Sequence, residues 1–129
     1  MANVVDVNTI QDGERNAVFH IRIEGDGSGE ESATQLIDIS TLLGAPPEVK
    51  IRAVDSKLTG FSASLLWDAT TDELAAELPA GASFMDADMY GGIINKAGAG
   101  VTGDIMITTV GLGAGDNGSI VLEVRKKYT

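Results

Sequence analysis

The sequence offers few side chains for acid–base or nucleophilic chemistry, since its 129 residues include one histidine and no cysteine. His20 stands between Val18 and Arg22 on the polar side of an alternating run. No serine or acid lies near it at a spacing typical of a catalytic triad. We therefore expect a surface histidine and no catalytic residue. Without cysteine, disulfides, thiolate metal sites and a cysteine nucleophile are excluded.

Two aspartate pairs, Asp68 with Asp72 and Asp86 with Asp88, are the candidates for glycoside hydrolysis. That reaction needs two carboxyl groups flanking a sugar-sized cleft, which is commonly lined by aromatic rings. The chain has six aromatic side chains, at Phe19, Phe61, Trp67, Phe84, Tyr90 and Tyr128. Alternation places Trp67 and Phe61 in the core, so a sugar platform would have to use Tyr90 or Tyr128. An enzyme is the least favoured hypothesis.

Carboxylates that could bind calcium are Asp26, Glu30, Glu31 and Asp116. The loop from Asp26 begins like an EF-hand, which requires a bidentate acid at its twelfth position. That position is Ile37. We expect solvated turns and no metal site.

Two segments match the pattern Gly-x-Gly-x-x-Gly, with glycines at 98, 100 and 103 and at 113, 115 and 118. A dinucleotide site needs this loop between a strand and a helix, whose terminal amides face the pyrophosphate. Each segment here precedes a predicted strand, and neither ends in the Gly-Lys-Ser/Thr of a phosphate-binding loop. We expect no cofactor.

The net charge of −10, from 19 acidic and nine basic residues, disfavours a nucleic-acid partner because it repels a polyphosphate backbone. The one basic cluster, Arg125 to Lys127, is interpreted as a solvated strand end. Residues 1–10 lack the features of a signal peptide, and no stretch has the length of a membrane span. Synthesis in a cytoplasm is expected.

Alternating apolar and polar residues, broken by turn signals every eight to twelve residues, predict an all-β fold. We expect an antiparallel, jelly-roll-like β-sandwich of seven or eight short strands. Residues 55–60 are interpreted as a bend and residues 83–89 as irregular. The predicted strands cover 17–24, 35–40, 49–54, 61–68, 72–78, 104–109 and 120–125.

The domain organisation is simple, with residues 1–15 forming an N-terminal arm or edge strand and residues 16–129 a single sandwich domain. Between the last two predicted strands, Asn117 and Gly118 follow Asp116. Asn-Gly between alternating runs is the strongest short hairpin signal. The sequence therefore predicts that these two strands pair.

The C-terminal half contains four further segments, LLWDATT at 65–71, MYGGI at 89–93, GAGVTGDI at 98–105 and TTVG at 108–111, followed by the closing strand to Lys127. In this order they resemble segments of small structural proteins of tailed bacteriophages. The resemblance implies a β-sandwich of the capsid decoration, or cement, type. Such a protein attaches to the major capsid protein on the outside of the virion.

The net charge of −10 is compatible with that role, since a charge far from zero keeps a protein soluble before it is recruited. Glycine-rich loops, acidic loops or an N-terminal arm are the expected contact elements, because an arm can add a strand to a partner's edge. The alternative is a phage tail or fibre protein or a carbohydrate-binding module. The sequence leaves monomer, dimer and trimer open.

Overall fold

Strict alternation determines which side chains of each strand enter the core. In the second strand, Phe19, Ile21 and Ile23 are buried, whereas His20 and Arg22 point outward. The computed structural model describes residues 3–27, 29–32, 34–44, 46–87, 92–93 and 102–127. The all-β sandwich predicted from the sequence is confirmed.

The described residues form nine strands, more than the seven or eight predicted. A short 3-10 helix, Ile39–Thr41, follows the third. The strands are β1 Val4–Asp12, β2 Asn16–Glu24, β3 Thr34–Ile37, β4 Glu48–Thr59, β5 Ser62–Trp67, β6 Glu73–Leu78, β7 Gly81–Asp86, β8 Ile105–Val110 and β9 Asn117–Lys127.

The nine strands form two antiparallel sheets. A five-stranded sheet has the order β1-β2-β9-β4-β7, and a four-stranded sheet has the order β3-β8-β5-β6. The pairs β2/β9, β3/β8, β4/β7 and β5/β6 are nested along the chain. This nesting is the wrapped double ribbon of a jelly roll, to which β1 adds an extra edge strand.

The predicted hairpin between the last two strands is wrong, because β8 and β9 lie in different sheets. Their connection crosses the end of the sandwich, and its turn lies before the Asn-Gly pair. There, the Gly113 amide donates to the Asp116 carboxylate at 2.8 Å, and Gly115 adopts a positive φ of 84°. Asn117 already belongs to β9, opposite both Glu24 and Thr59.

Two segments interpreted as irregular belong to strands. The predicted bend at 55–60 is wrong, since β4 continues to Thr59 with Ser56 and Leu58 buried. Most of the segment 83–89 that is described lies in β7, whose outer positions are exposed and whose inner positions Ser83 and Met85 are only partly buried. An edge strand that buries so little gives a weak alternation signal, which explains the failed prediction.

The space between the sheets is filled mainly by branched aliphatic side chains and by Trp67, which is 1% exposed as its alternating position predicts. Full burial of each large side chain contributes about 1.5–3 kcal/mol. The largest fully buried side chains are Trp67, Ile21, Ile23, Ile51, Leu58, Leu65, Ile105, Ile107, Ile120, Leu122, Val49 and Val54.

The start of the described chain is an edge strand tied at both ends. β1 pairs along its length with β2, with a bulge between Thr9 and Gln11. Before it, the Asn3 amide donates to the Gly29 carbonyl at 2.8 Å. At its end, Asp12 accepts from the Leu43 amide at 2.8 Å and from the Lys126 ammonium. Of the two forms considered for this segment, residues 4–12 adopt the edge strand.

Gly118 provides a test of the position of β9. A Cβ at this site would lie 2.6 Å from Leu58 Cδ2 and 2.9 Å from Phe61 Cζ. We expect Gly118→Ala to lower the free energy of unfolding in urea by about 1–3 kcal/mol, because the core would be overpacked. Asn117, the exposed neighbour, supplies the control, and Asn117→Ala should change the free energy of unfolding by less than about 0.5 kcal/mol. Equal losses of stability in both variants would indicate that residues 117 and 118 form a turn, and would contradict their place in β9.

Candidate functional surfaces

His20 has a partner that its sequence neighbourhood does not reveal. Register between β2 and β9 brings its Nε2 to 2.9 Å from Ser119 Oγ. A serine–histidine contact resembles the start of a hydrolytic triad, which also needs an acid to orient the ring. In the described chain no carboxylate hydrogen-bonds His20, and the neighbouring Arg22 pairs with Glu24 at 2.6 Å. The geometry is that of a hydrogen-bonded pair on an open sheet face.

The aspartate pair considered for glycoside hydrolysis stabilises local turns. Asp68 accepts a hydrogen bond from the Thr102 hydroxyl at 2.8 Å, and Asp72 accepts from the Ala69 amide at 3.0 Å. The Asp72 carboxylate thus holds the backbone just after β5, and the Asp68 carboxylate ties the end of β5 to the segment before β8. Of the second pair, Asp86 is exposed at the end of β7, and Asp88 lies outside the described residues.

Glu30 binds the chain's own backbone. Its carboxylate accepts from the amides of Gly111 at 2.8 Å and Leu112 at 3.0 Å, and from the Thr109 hydroxyl at 2.8 Å. The Leu112 amide, assisted by Thr109 and Gly111, lowers the pKa of Glu30 below its ordinary value, because these bonds favour the charged form. Glu30 therefore fastens the acidic loop to the β8–β9 connection.

Two other carboxylates weighed as calcium ligands, those of Glu31 and Asp116, are also engaged within the chain. Glu31 accepts from the Asn3 amide at 3.0 Å and from the Thr34 hydroxyl at 3.2 Å, and Asp116 closes the turn that precedes β9. The Asp26 amide donates to Asn3. Among the described residues, no three acidic or histidine side chains cluster closely enough to hold a metal ion.

The two glycine patterns have structural explanations where they are described. Gly103 is buried with a positive φ of 86°, and a Cβ there would lie 2.4 Å from Ile39 Cδ1. Gly113 and Gly115 belong to the crossing between the sheets, and Gly118 packs inside β9. The remaining two glycines, at 98 and 100, lie outside the described residues.

The sequence predicts that Lys126 lies at a solvated strand end, and for this residue the prediction is wrong. Its side chain is fully buried, and its ammonium donates to the Asp12 carboxylate, the Gly13 carbonyl at 2.5 Å and the Leu43 carbonyl at 2.8 Å. All three donors of the ammonium are therefore used. This one cation joins the β1–β2 turn, the loop after the 3-10 helix and the end of β9.

Asp12 responds to the same contact. Burial would raise the pKa of its carboxyl, but the hydrogen bonds from Lys126 and the Leu43 amide and the charge of Lys126 outweigh burial and lower that pKa. The ion pair thus favours the charged form of Asp12.

The most exposed aromatic ring in the described chain is one that the sequence did not single out. Phe84 is 68% exposed on the outer face of the edge strand β7, opposite Asp55 of β4. Tyr90 and Tyr128, the two candidates for a sugar platform, lie outside the described residues.

The outer faces of the two sheets differ in charge. In the five-stranded sheet, β2, β9 and β4 carry charges of both signs, whereas β1 and β7 carry acids and no basic residue. The ionisable side chains in this outer face include Asp6, His20, Arg22, Glu24, Asp55, Lys57, Asp86, Glu123 and Arg125.

The four-stranded sheet presents an almost uncharged outer face. Gln35, Met106, Leu66 and Leu74 form one row across its four strands. The next rows follow by register and are Thr108, Ser64 and Glu77, then Val110 and Ser62. Among the described residues of these rows, Glu77 is the one ionisable side chain. We call these nine residues the neutral face.

A signal for the neutral face is present in the sequence. Leu66 lies out of phase with the buried Leu65 and Trp67, and Met106 lies out of phase with Ile105 and Ile107. Apolar residues at positions where alternation requires polar ones indicate a face that contacts something other than water.

Comparisons with protein-family models and with curated proteins found no match. In the described chain, no helix has the length and apolar character needed to cross a membrane. Function therefore has to be argued from the site geometry and from the resemblance stated above.

The lowered pKa of Glu30 predicts how stability depends on pH. A carboxyl whose pKa is lower in the folded state stabilises fully above its unfolded value, near 4.5, and loses this contribution as pH falls through the lower folded value. We expect the free energy of unfolding, measured in urea from pH 7 downward, to decrease below about pH 4.5.

Glu30→Gln should be less stable at pH 7 and should show a smaller acid-induced decrease than the unmodified protein. Glu77→Gln, on the neutral face, is the matched control and should change neither the stability at pH 7 nor the size of the acid-induced decrease. An acid-induced decrease of the same size in Glu30→Gln and the unmodified protein would contradict the anchoring role.

Proposed function

We propose that this protein is a non-enzymatic virion component that decorates or stabilises the outer surface of a tailed-phage capsid, with the major capsid protein as its partner. The neutral face of the four-stranded sheet carries the proposal. It is a nearly uncharged surface on a chain with a net charge of −10.

The composition of the neutral face is that of a protein-binding surface. Interface centres are depleted in charged residues, and methionine is enriched there, because burying an unpaired charge is costly. Val110 and Leu74 are 64% and 52% exposed, so docking would remove apolar surface from water. The hydroxyls of Ser62 and Ser64 can bond to a partner or to bridging water.

The size of the neutral face indicates weak single contacts. Four strands spaced about 4.8 Å apart, of which β5, β6 and β8 are six residues long and β3 is four, span at most roughly 20 Å by 20 Å at about 3.3 Å per residue. That area is about half of the 800 Å² per partner in a stable interface. Attachment through this face therefore relies on repetition, as on a shell with many equivalent sites, or on more than one contact per molecule.

The remaining features are compatible with a decoration role at the capsid exterior after synthesis in the host cytoplasm. Jelly rolls occur widely among viral structural proteins, which is support by fold analogy alone. The carboxylates of Glu30 and Asp12 stabilise the chain's own loops, so their recorded contacts are structural. The charged outer face of the other sheet would face solvent in the assembled particle.

Binding to capsids tests this proposal. Purified shells of the encoding phage that lack the protein are mixed with it, and bound copies are counted after sedimentation. Val110→Lys and Leu74→Lys each place a charge on the neutral face and should weaken binding about tenfold or more, since a buried unpaired charge costs at least about 1.4 kcal/mol.

Phe84→Lys changes an equally exposed apolar residue on the other sheet and should bind like the unmodified protein. Failure of the unmodified protein to bind shells would refute capsid decoration. Equal binding by all three variants would refute docking through the neutral face.

A second candidate is a phage tail or fibre protein or a carbohydrate-binding module, and the position of Phe84 is the observation that favours it. An exposed ring beside the carboxylates of Asp55 and Asp86 can stack on a sugar while the acids accept from its hydroxyls. Glycan-array binding that disappears in Phe84→Ala would support this function. No glycan binding by the unmodified protein would exclude it.

A further inference from the structure

β1 presents an unprotected edge. It is the outermost strand of the five-stranded sheet, and β2 is the strand that pairs with it in the described chain. Its free side therefore exposes backbone amides and carbonyls that can pair with another strand. Proteins usually block such edges with lysine, proline or a very short strand. The nine residues of β1, VVDVNTIQD, contain neither residue type, and the bulge lies near one end.

The edge is also preorganised. Asn3 holds its start to the Gly29 carbonyl, and Asp12 holds its end to Lys126 and the Leu43 amide. Val5 packs against the core. A partner strand would therefore add to a strand that is already ordered, which removes most of the entropic cost of strand addition on this side.

Both faces of β1 expose apolar side chains. Val7 on the inner face is 36% exposed, because the four-stranded sheet does not cover this edge, and Ile10 at the bulge is 57% exposed. Val4 is similarly exposed. Pairing through this edge would remove apolar surface from water on both sides of the sheet.

We propose that β1 pairs antiparallel with β1 of a second copy of this chain, about a twofold axis at Val7, so that two five-stranded sheets join into one of ten strands. The sequence of the strand is self-complementary in this register. Val7 faces its own copy, Val5 faces Thr9, and Asp6 faces Asn8. No carboxylate lies opposite another, and like charges directly opposite would be unfavourable.

A second copy fits this edge better than an unrelated segment, because a single twofold axis gives a compatible side-chain pair at every position from Val5 to Thr9. Such an isologous contact closes on itself and yields a dimer rather than a fibre. The dimer goes beyond the proposed function and does not depend on it. Each dimer would carry two neutral faces and could therefore attach at two sites at once.

A single cysteine provides the direct test, since the natural chain has none. Val7→Cys places two thiols opposite each other at the axis, close enough for a disulfide or for a short bismaleimide. We expect rapid, nearly complete covalent dimer formation at micromolar concentration in physiological salt. Phe84→Cys, on the opposite edge strand of the same sheet, is the control and should form no covalent cross-link, although it should still pair through β1.

Charge substitution separates pairing from a general loss of folding. Sedimentation should give twice the 13.4 kDa of one chain for the unmodified protein and one chain mass for Val7→Lys or Val7→Asp alone. Mixing the two variants should restore the dimer, because opposite charges then meet at the axis.

A monomeric unmodified protein whose Val7→Cys variant cross-links no faster than Phe84→Cys would overturn the proposal. No restored dimer in the mixture of charge variants, with both folded, would also overturn it. Neither measurement uses capsids, so the outcome is independent of the capsid-binding test.

Discussion

The position of β9 at the centre of the five-stranded sheet is the constraint on which the rest of the structure depends. It pairs along its length with β2 on one side and β4 on the other, and its inward side chains Ile120, Leu122 and Val124 are completely buried. Since β8, the preceding strand, lies in the opposite sheet, the chain must cross the sandwich immediately before β9. Residue 118 then has to be glycine, because a Cβ there would collide with the core. The end of the same strand places the Lys126 side chain in the interior.

Two polar anchors close the ends of this sandwich. Near the start of β9, Glu30 fastens the acidic loop to the β8–β9 connection, and near its end Lys126 joins the β1–β2 turn to the loop that follows the 3-10 helix. Each anchor satisfies backbone groups that apolar packing alone would leave without partners. The anchors use the carboxylates of Glu30 and Asp12 and the ammonium of Lys126 within the fold, whereas the neutral face and the β1 edge expose apolar side chains. These are the surfaces on which the proposed docking and pairing rest.

Short-range alternation in the sequence predicts the all-β class and the inward faces of β2, β5 and β8, including the buried position of Trp67. Apart from the weakly buried edge strand β7, the main failures share a physical cause, which is that the deciding contact is distant in sequence. Asn117 and Gly118 suggest a local hairpin, but nested pairing of strands overrides it. Lys126 suggests a solvated end, but its partner Asp12 is 114 residues away, and Ser119 is 99 residues from His20. The neutral face was partly visible in the sequence, because Leu66 and Met106 lie out of phase with their strands.

Backbone nuclear Overhauser effects measured by NMR on the isotopically labelled protein test the central position of β9 most directly. This architecture predicts cross-strand Hα–Hα or amide contacts from the residues of β9 to both β2 and β4, around Val121 with His20 and with Asp55. It also predicts that the amides of β9 exchange among the slowest in the chain, because the strand is paired on both sides. A continuous ladder of contacts between β8 and β9, with none from β9 to β4, would contradict the nested topology and everything argued from it.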